Sequence, residues 1–259
     1  MPAALVTGAG GRLGRAMALA LGQEGYDVVV HYASSAQGAE ETVRLIQEAG
    51  QKAVSLRADL LVEQEMQSLI ARAQDAIGQP LSVLINSASI FEHDVMGSLT
   101  RESWDRHMNS NLRAPVVLTQ AFAAQAPDPV ADKNGEPVAQ ALVVNLVDQR
   151  VRKLTPEFMS YTLAKSALWT FTQTAAQALG SHVRVNAIGP GPTLRGGRQS
   201  EADFAKQRGS TILERGADPD DICAALVYLI SAKSVTGQMI AVDGGQHLAW
   251  ETPDVVDVE

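Results

Sequence analysis

The sequence predicts an α/β protein: one seven-stranded parallel sheet with helices on both faces, in a single domain. Three observations carry this. Seven short β-rich runs recur along the 259 residues. The stretches between them repeat apolar residues three and four apart, the period of a half-buried helix. No linker divides the chain. Strands joined by helical crossovers pair in parallel and are covered on both sides.

The elements follow in order. "AALVT" (3–7) is the first strand and runs into "TGAGGRLGRAMALA". The helical pattern of "RAMALALGQEG" leads to the second strand, "DVVVHY" (27–32). "KAVSLRA" (52–58) is the third strand, and the helical "EQEMQSLIARAQDAIG" connects it to the fourth, "LSVLINS" (81–87). "QAPDPVADKNGEPVAQ" (125–140), rich in Pro, Asp and Gly, reads as a surface loop before the fifth strand, "ALVVNLV" (141–147). The sixth is "VRVNAIG" (183–189) and the seventh "QMIAVDG" (238–244). The glycine-rich, charged segment 190–210 suits a mobile lid. The domain is expected to span 1–250, with an acidic tail at 251–259 that is either disordered or docked on a neighbouring subunit.

Composition narrows the function. The net charge is −8 with no basic run of five, which argues against nucleic acid as a partner. No apolar stretch reaches 18 residues, so no membrane span is expected. The start lacks the features of a signal peptide. The one cysteine, Cys223, excludes an internal disulfide and fits a reducing, cytoplasmic setting. Its apolar helical neighbours make it a packing residue rather than a nucleophile. The five histidines show no metal-ligand spacing, so no metal is expected.

"TGAGGRLG" (7–14) lies between a strand and a helix, the setting of a phosphate-cradling loop. Gly8 permits a tight turn, Gly10 and Gly11 clear the approach of a pyrophosphate, and Gly14 lets the helix pack closely. The helix N-terminus offers free N–H groups to the phosphates. An acid after the second strand would select NAD, but "VVVHYASS" (28–35) has none before Glu40. His31, Ser34 and Ser35 can donate to a 2′-phosphate and Arg12 adds positive charge, so NADPH is the expected cofactor. Arg12 could otherwise face solvent. Asp59 could accept from the adenine amino group or open the next helix.

In "SYTLAKSALWTFTQTAAQAL" (160–179), Tyr161 and Lys165 are four apart and share one helix face. A neighbouring ammonium stabilises a phenolate, which makes the pair a candidate proton donor. With "NSAS" (86–89), "NLRAP" (111–115), "RVNAIGPG" (184–191) and "VDGG" (242–245), the chain resembles the short-chain dehydrogenase/reductase family over residues 3 to 250. The resemblance implies a Rossmann-type doubly wound sheet, a nicotinamide cofactor and a homotetramer. It implies Tyr161 as acid/base, Lys165 on the nicotinamide ribose and Asn111 holding a relay water. It places Leu13, Tyr32, Leu60, Asn86, Ser87 and Ala88 along the cofactor, and Pro190, Gly191 and Thr193 beside the nicotinamide.

Two departures sharpen the resemblance. Arg12 replaces a usual glycine. Asp148, thirteen residues before Tyr161, replaces a serine that holds a substrate carbonyl. A carboxylate there opposes an oxyanion and suits a substrate that bears N–H groups or becomes cationic. Both departures resemble the pteridine reductases, which include the dihydromonapterin reductases. That subgroup implies Phe91 stacking on a pterin, with Arg12 reaching both the phosphates and the pterin edge. Ser34 stands where some members have an arginine. Taken singly, Phe91 could be a loop anchor and Asp148 a turn cap. The competing readings are a carbonyl reductase acting on a 3-oxoacyl or sugar-like ketone, and an NADPH-binding regulator without catalysis.

Overall fold

The computed structural model describes residues 1–197 and 199–250; the acidic tail lies outside them. Seven strands form the sheet: β1 (Ala3–Val6), β2 (Asp27–Tyr32), β3 (Ala53–Arg57), β4 (Val83–Asn86), β5 (Ala141–Leu146), β6 (Val183–Pro190) and β7 (Met239–Val242). Their order across the sheet is β3-β2-β1-β4-β5-β6-β7, and every neighbouring pair is parallel. All residues of β1, β4 and β5 are buried. That explains why these strands read as unbroken apolar runs rather than alternating ones.

Helices α1 (Arg12–Gln23), α2 (Ala36–Glu48) and α8 (Pro219–Ser231) cover one face through Met17, Leu21, Ile46, Leu226 and Leu229. Helices α3 (Glu63–Ile77), α5 (Ala114–Ala123) and α6 (Met159–Leu179) cover the other, with Leu69, Leu118 and Phe122 at its centre. Two shorter helices, α4 (Arg101–Met108) and α7 (Glu201–Gly209), lie beyond the sheet. Among the described residues no helix is long and apolar enough to cross a membrane.

Strand order reverses between β1 and β4. In such sheets ligands bind beyond the carboxyl ends of the strands at this point. Several apolar runs overshoot their strands here: Thr7, Ser87 and Val147 leave the sheet to form the loops of that edge. Segment 125–140 is not a plain loop, because Val130–Ala131 pairs with Pro137–Val138 in a small antiparallel hairpin. Segment 190–210 contains α7, whose first turn is capped by the Ser200 hydroxyl accepting from Asp203 N.

Candidate active site

The glycine loop closes the carboxyl end of β1. Gly8 has φ +68°, and a Cβ there would lie 2.9 Å from Ala88 Cα. Only glycine meets both demands without strain. A Cβ at Gly14 would come within 2.3 Å of Gly8 O, so α1 can pack against the turn only without one. A Cβ at Gly10 would strike Ser35 O at 2.8 Å, so this glycine also lets the loop rest on the start of α2. Gly11 faces open space, with no atom within 4 Å of a built Cβ, and is the position where a phosphate could approach. Arg15 braces the loop from below, donating to Gly10 O, Gly38 O and Thr42 Oγ1.

Arg12 holds φ +51°, a left-handed conformation that costs a non-glycine residue on the order of 1–3 kcal/mol. This is the backbone reason a glycine is the usual occupant. Its guanidinium donates to Arg195 O at 3.1 Å and Leu194 O at 3.2 Å, so it ties the glycine loop to the 190–210 segment. Leu13 behind it is partly buried against the core.

His31 is not a phosphate donor. It is buried, and Gly8 N donates to its Nδ1 at 3.1 Å while its Nε2 donates to Ala58 O at 3.0 Å. Burial lowers its pKa to about 4, so the ring is neutral and acts as a strut beneath Gly8. Ser34 and Ser35 are exposed at the entry to α2, next to the half-buried Tyr32. Their hydroxyls and the helix N-terminus suit an anion. Asp59 forms a turn, accepting from Leu61 N at 2.9 Å, and Leu60 is buried behind it. The buried Asn86 amide donates to Asn145 Oδ1 at 2.8 Å and so ties the ends of β4 and β5 together. Thr7 Oγ1 accepts from the backbone N–H groups of Ser87 and Ala88, locking the ends of β1 and β4 together.

The chemistry-bearing residues meet at the ends of β4, β5 and β6. Tyr161, in the first turn of α6, donates its hydroxyl proton to Asp148 Oδ2 at 2.9 Å. Asp148 Oδ1 accepts from Arg150 N at 2.8 Å, so the carboxylate both caps the Gln149–Val151 turn and binds the phenol. Burial pushes Asp148 above the usual carboxylate range. Tyr161 lies well above the usual phenol value because of burial first and the Asp148 charge second. The phenol therefore stays protonated at neutral pH. The expected lowering of Tyr161 by Lys165 is not what this arrangement gives. Lys165 donates to Leu146 O at 2.6 Å and lies 5.7 Å from the Tyr161 ring centre. Burial brings its own pKa down to about 8.

Asn111 sits in a π-helical turn, Asn109–Arg113, an irregularity common at functional sites. Its amide makes two bonds to Ile90, accepting from N and donating to O, each 2.8 Å. This fixes the residue before Phe91. The Phe91 ring meets the Tyr161 ring edge-on at 4.7 Å and stacks on Phe158 at 4.3 Å with 12° between planes. Phe158 has φ +57° and carries the Arg150 guanidinium 5.2 Å from its ring centre. Neither Phe158 nor Arg150 stands out in the sequence, since a left-handed backbone at phenylalanine leaves no compositional trace. On the β6 side, Pro190 ends the strand, Gly191 N donates to Val242 O and the buried Thr193 hydroxyl donates to Gly191 O at 3.1 Å. Cys223 lies partly buried in α8, its thiol raised by burial to about 11, as suits a packing residue.

The family model described as enoyl-(acyl carrier protein) reductase matches residues 8–247. The chain belongs to the short-chain dehydrogenase/reductase family. Among solved structures of that family it is similar to the FolM alternative dihydrofolate reductase 1 of Brucella canis complexed with NADP. The two are 41% identical with a TM-score of 0.90, covering 98% of this chain and 97% of that one. It is 33% identical to the uncharacterized oxidoreductase YgfF of Escherichia coli (strain K12), covering 95% of this chain and all of the relative. It is 30% identical to the 3-oxoacyl-[acyl-carrier-protein] reductase FabG of Staphylococcus aureus (strain Mu50), covering 95% and 98%. Tyr161, Lys165 and Asp148 lie together at this point of the fold.

Proposed function

We propose that the protein reduces a C=N bond of a dihydropterin or dihydrofolate, using NADPH. The observation that carries this reading is the hydrogen bond from Tyr161 to Asp148. NADPH when bound supplies the hydride. Gly11, the N-terminus of α1 and Arg12 would hold its pyrophosphate, Ser34 and Ser35 its 2′-phosphate, Lys165 its nicotinamide ribose and Thr193 its carboxamide. The open approach at Gly11 and the lack of a carboxylate at the end of β2 fit that group.

The nitrogen of the C=N bond takes the Tyr161 proton before or as the hydride arrives, which gives it iminium character. The carbon then accepts the hydride, the π pair moves to nitrogen, and a neutral N–H product is left. Positive character at that nitrogen is stabilised by the Asp148 carboxylate, which would oppose the oxyanion of a reduced ketone. Phe91, exposed and edge-on to Tyr161, would offer a flat heterocycle a surface beside the acid. Similarity to the Brucella dihydrofolate reductase supports the substrate class. The test is NADPH oxidation by the purified protein with a dihydropterin, with dihydrofolate and with a 3-oxoacyl thioester, repeated with NADH. Turnover of the first two with NADPH is expected. Reduction of the thioester alone would make the protein a ketone reductase, as the likeness to FabG suggests, and equal use of NADH would remove the cofactor assignment.

A further inference from the structure

Beneath Tyr161 lies a buried polar cluster drawn from three separate parts of the chain. Asp94, His107 and Ser160 are 1%, 0% and 0% exposed. Glu92 N donates to His107 Nε2 at 3.1 Å, which leaves the proton on Nδ1 to donate to Ser160 Oγ at 2.6 Å. The Ser160 hydroxyl in turn donates to Asp94 Oδ2. Asp94 Oδ1 accepts from Ser160 N at 3.0 Å, and Asp94 O accepts from Met159 N at 3.0 Å. Ser103 Oγ adds a further donor to Asp94 at 3.0 Å.

The start of α6 explains the need. Its preceding residue, Phe158, is left-handed and offers no side-chain cap. Two of the helix's free N–H groups are instead satisfied by Asp94, 66 residues before Ser160. Burial pushes Asp94 up, but the hydrogen bonds from Ser160 and Ser103, with His107 nearby, together hold the carboxyl below its usual value, so it is an anion at a helix N-terminus. His107 is lowered by burial and stays neutral. The cluster thus clamps the segment bearing Phe91 to the turn bearing Tyr161.

We propose that Asp94, Ser160 and His107 are positioning residues that set the Tyr161 phenol against the Phe91 ring and hence the geometry of proton transfer. This rests on the functional reading above in taking Tyr161 as the acid and in naming a dihydropterin as the substrate. Asp94→Ala, Ser160→Ala and His107→Gln should each lower kcat, by ~10- to 100-fold if the phenol moves by about 1 Å. NADPH affinity, read by fluorescence quenching, should hold within twofold, and the solvent deuterium isotope effect on kcat should rise as proton transfer becomes limiting. The Asp94→Ala/Ser160→Ala double variant should lose little more than the worse single one, because the residues act as a unit. Ser160→Thr, which keeps the hydroxyl, should recover part of the loss.

Kinetics are measured with a dihydropterin and a 3-oxoacyl thioester in parallel. If the wild type turns over only the thioester, the pterin reading fails while the clamp is still judged from kcat on that substrate. A lower Tm with kcat and the isotope effect unchanged would overturn the proposal, as would simple additivity of the two alanine variants. Should Asp94→Ala not fold, Ser160→Ala and His107→Gln decide the matter by the same readouts.

Discussion

Asp148 concentrates the functional question in one side chain. It faces a phenol that burial keeps protonated, and it is held in place by Arg150 N. Tyr161→Phe removes the proton donor and should cut kcat by ~10²–10⁴-fold with NADPH binding intact. A variant that keeps most of its rate would move the acid elsewhere. Asp148→Ser should cost dihydropterin reduction by orders of magnitude and leave the fold intact, since serine can still accept from Arg150 N. Unchanged pterin kinetics in that variant would leave Asp148 as a turn cap alone. Phe91→Ala should raise KM for a dihydropterin by the equivalent of ~1–3 kcal/mol, the scale of stacking on a nucleobase, with less effect on NADPH. Tyr161 and Lys165 stand out in the sequence because their spacing resembles a known family, Asp148 because it departs from that family's pattern, and Phe91 because it matches one subgroup. The buried partners are not. Asp94 and His107 look like ordinary surface polar residues until the fold places Ser160 between them.

At the level of elements, the glycine loop and the segment after β6 work as one unit. Arg12 is the link, and its cost is the left-handed backbone it must adopt. Arg12→Gly relieves that strain while deleting both bonds to Leu194 and Arg195. Global Tm should therefore change little, whereas trypsin should cut after Arg195 faster, as the segment opens more often. KM for NADPH should rise if the guanidinium also meets phosphate. Arg12→Ala, which keeps the strain, should lose more stability and show the same faster cleavage. A cleavage rate equal to wild type in both variants would show that the clasp does not hold the segment. The helix inside this segment was open to sequence reading, since Ser200 and Asp203 form an S-x-x-D start signal. The glycines and proline just before it mask that signal when the segment is read as a whole.

Across the whole molecule, the sheet's order brings the carboxyl ends of β1, β2, β4, β5 and β6 together, so residues as far apart in sequence as Arg12 and Arg195 meet there. The alternation of strands and helices makes this architecture legible, because a parallel sheet covered on both faces needs apolar strands and crossover helices. The sequence is silent about which polar residues the sheet swallows. His31 lies one residue before the end of β2 and reads as a phosphate donor, yet it is buried, with its Nε2 on Ala58 O and Gly8 N on its other nitrogen. This has a consequence for the stability of the entire fold. An unfolded histidine takes up a proton below pH 6.5, whereas burial makes the folded one resist until about 4. Between those values the unfolded state binds more protons, so stability falls as pH drops from 6.5 to 4 and this group takes no more below that. The loss can reach ~3 kcal/mol, from 1.36 kcal/mol per pKa unit. His31→Gln can hold Gly8 N and Ala58 O without titrating. Urea unfolding of the two proteins from pH 7 to 4 should show the variant losing less stability over that interval, even if it starts lower. Parallel curves would mean that His31 becomes protonated in the folded protein without cost, and that the strut beneath the glycine loop does not depend on its neutral form.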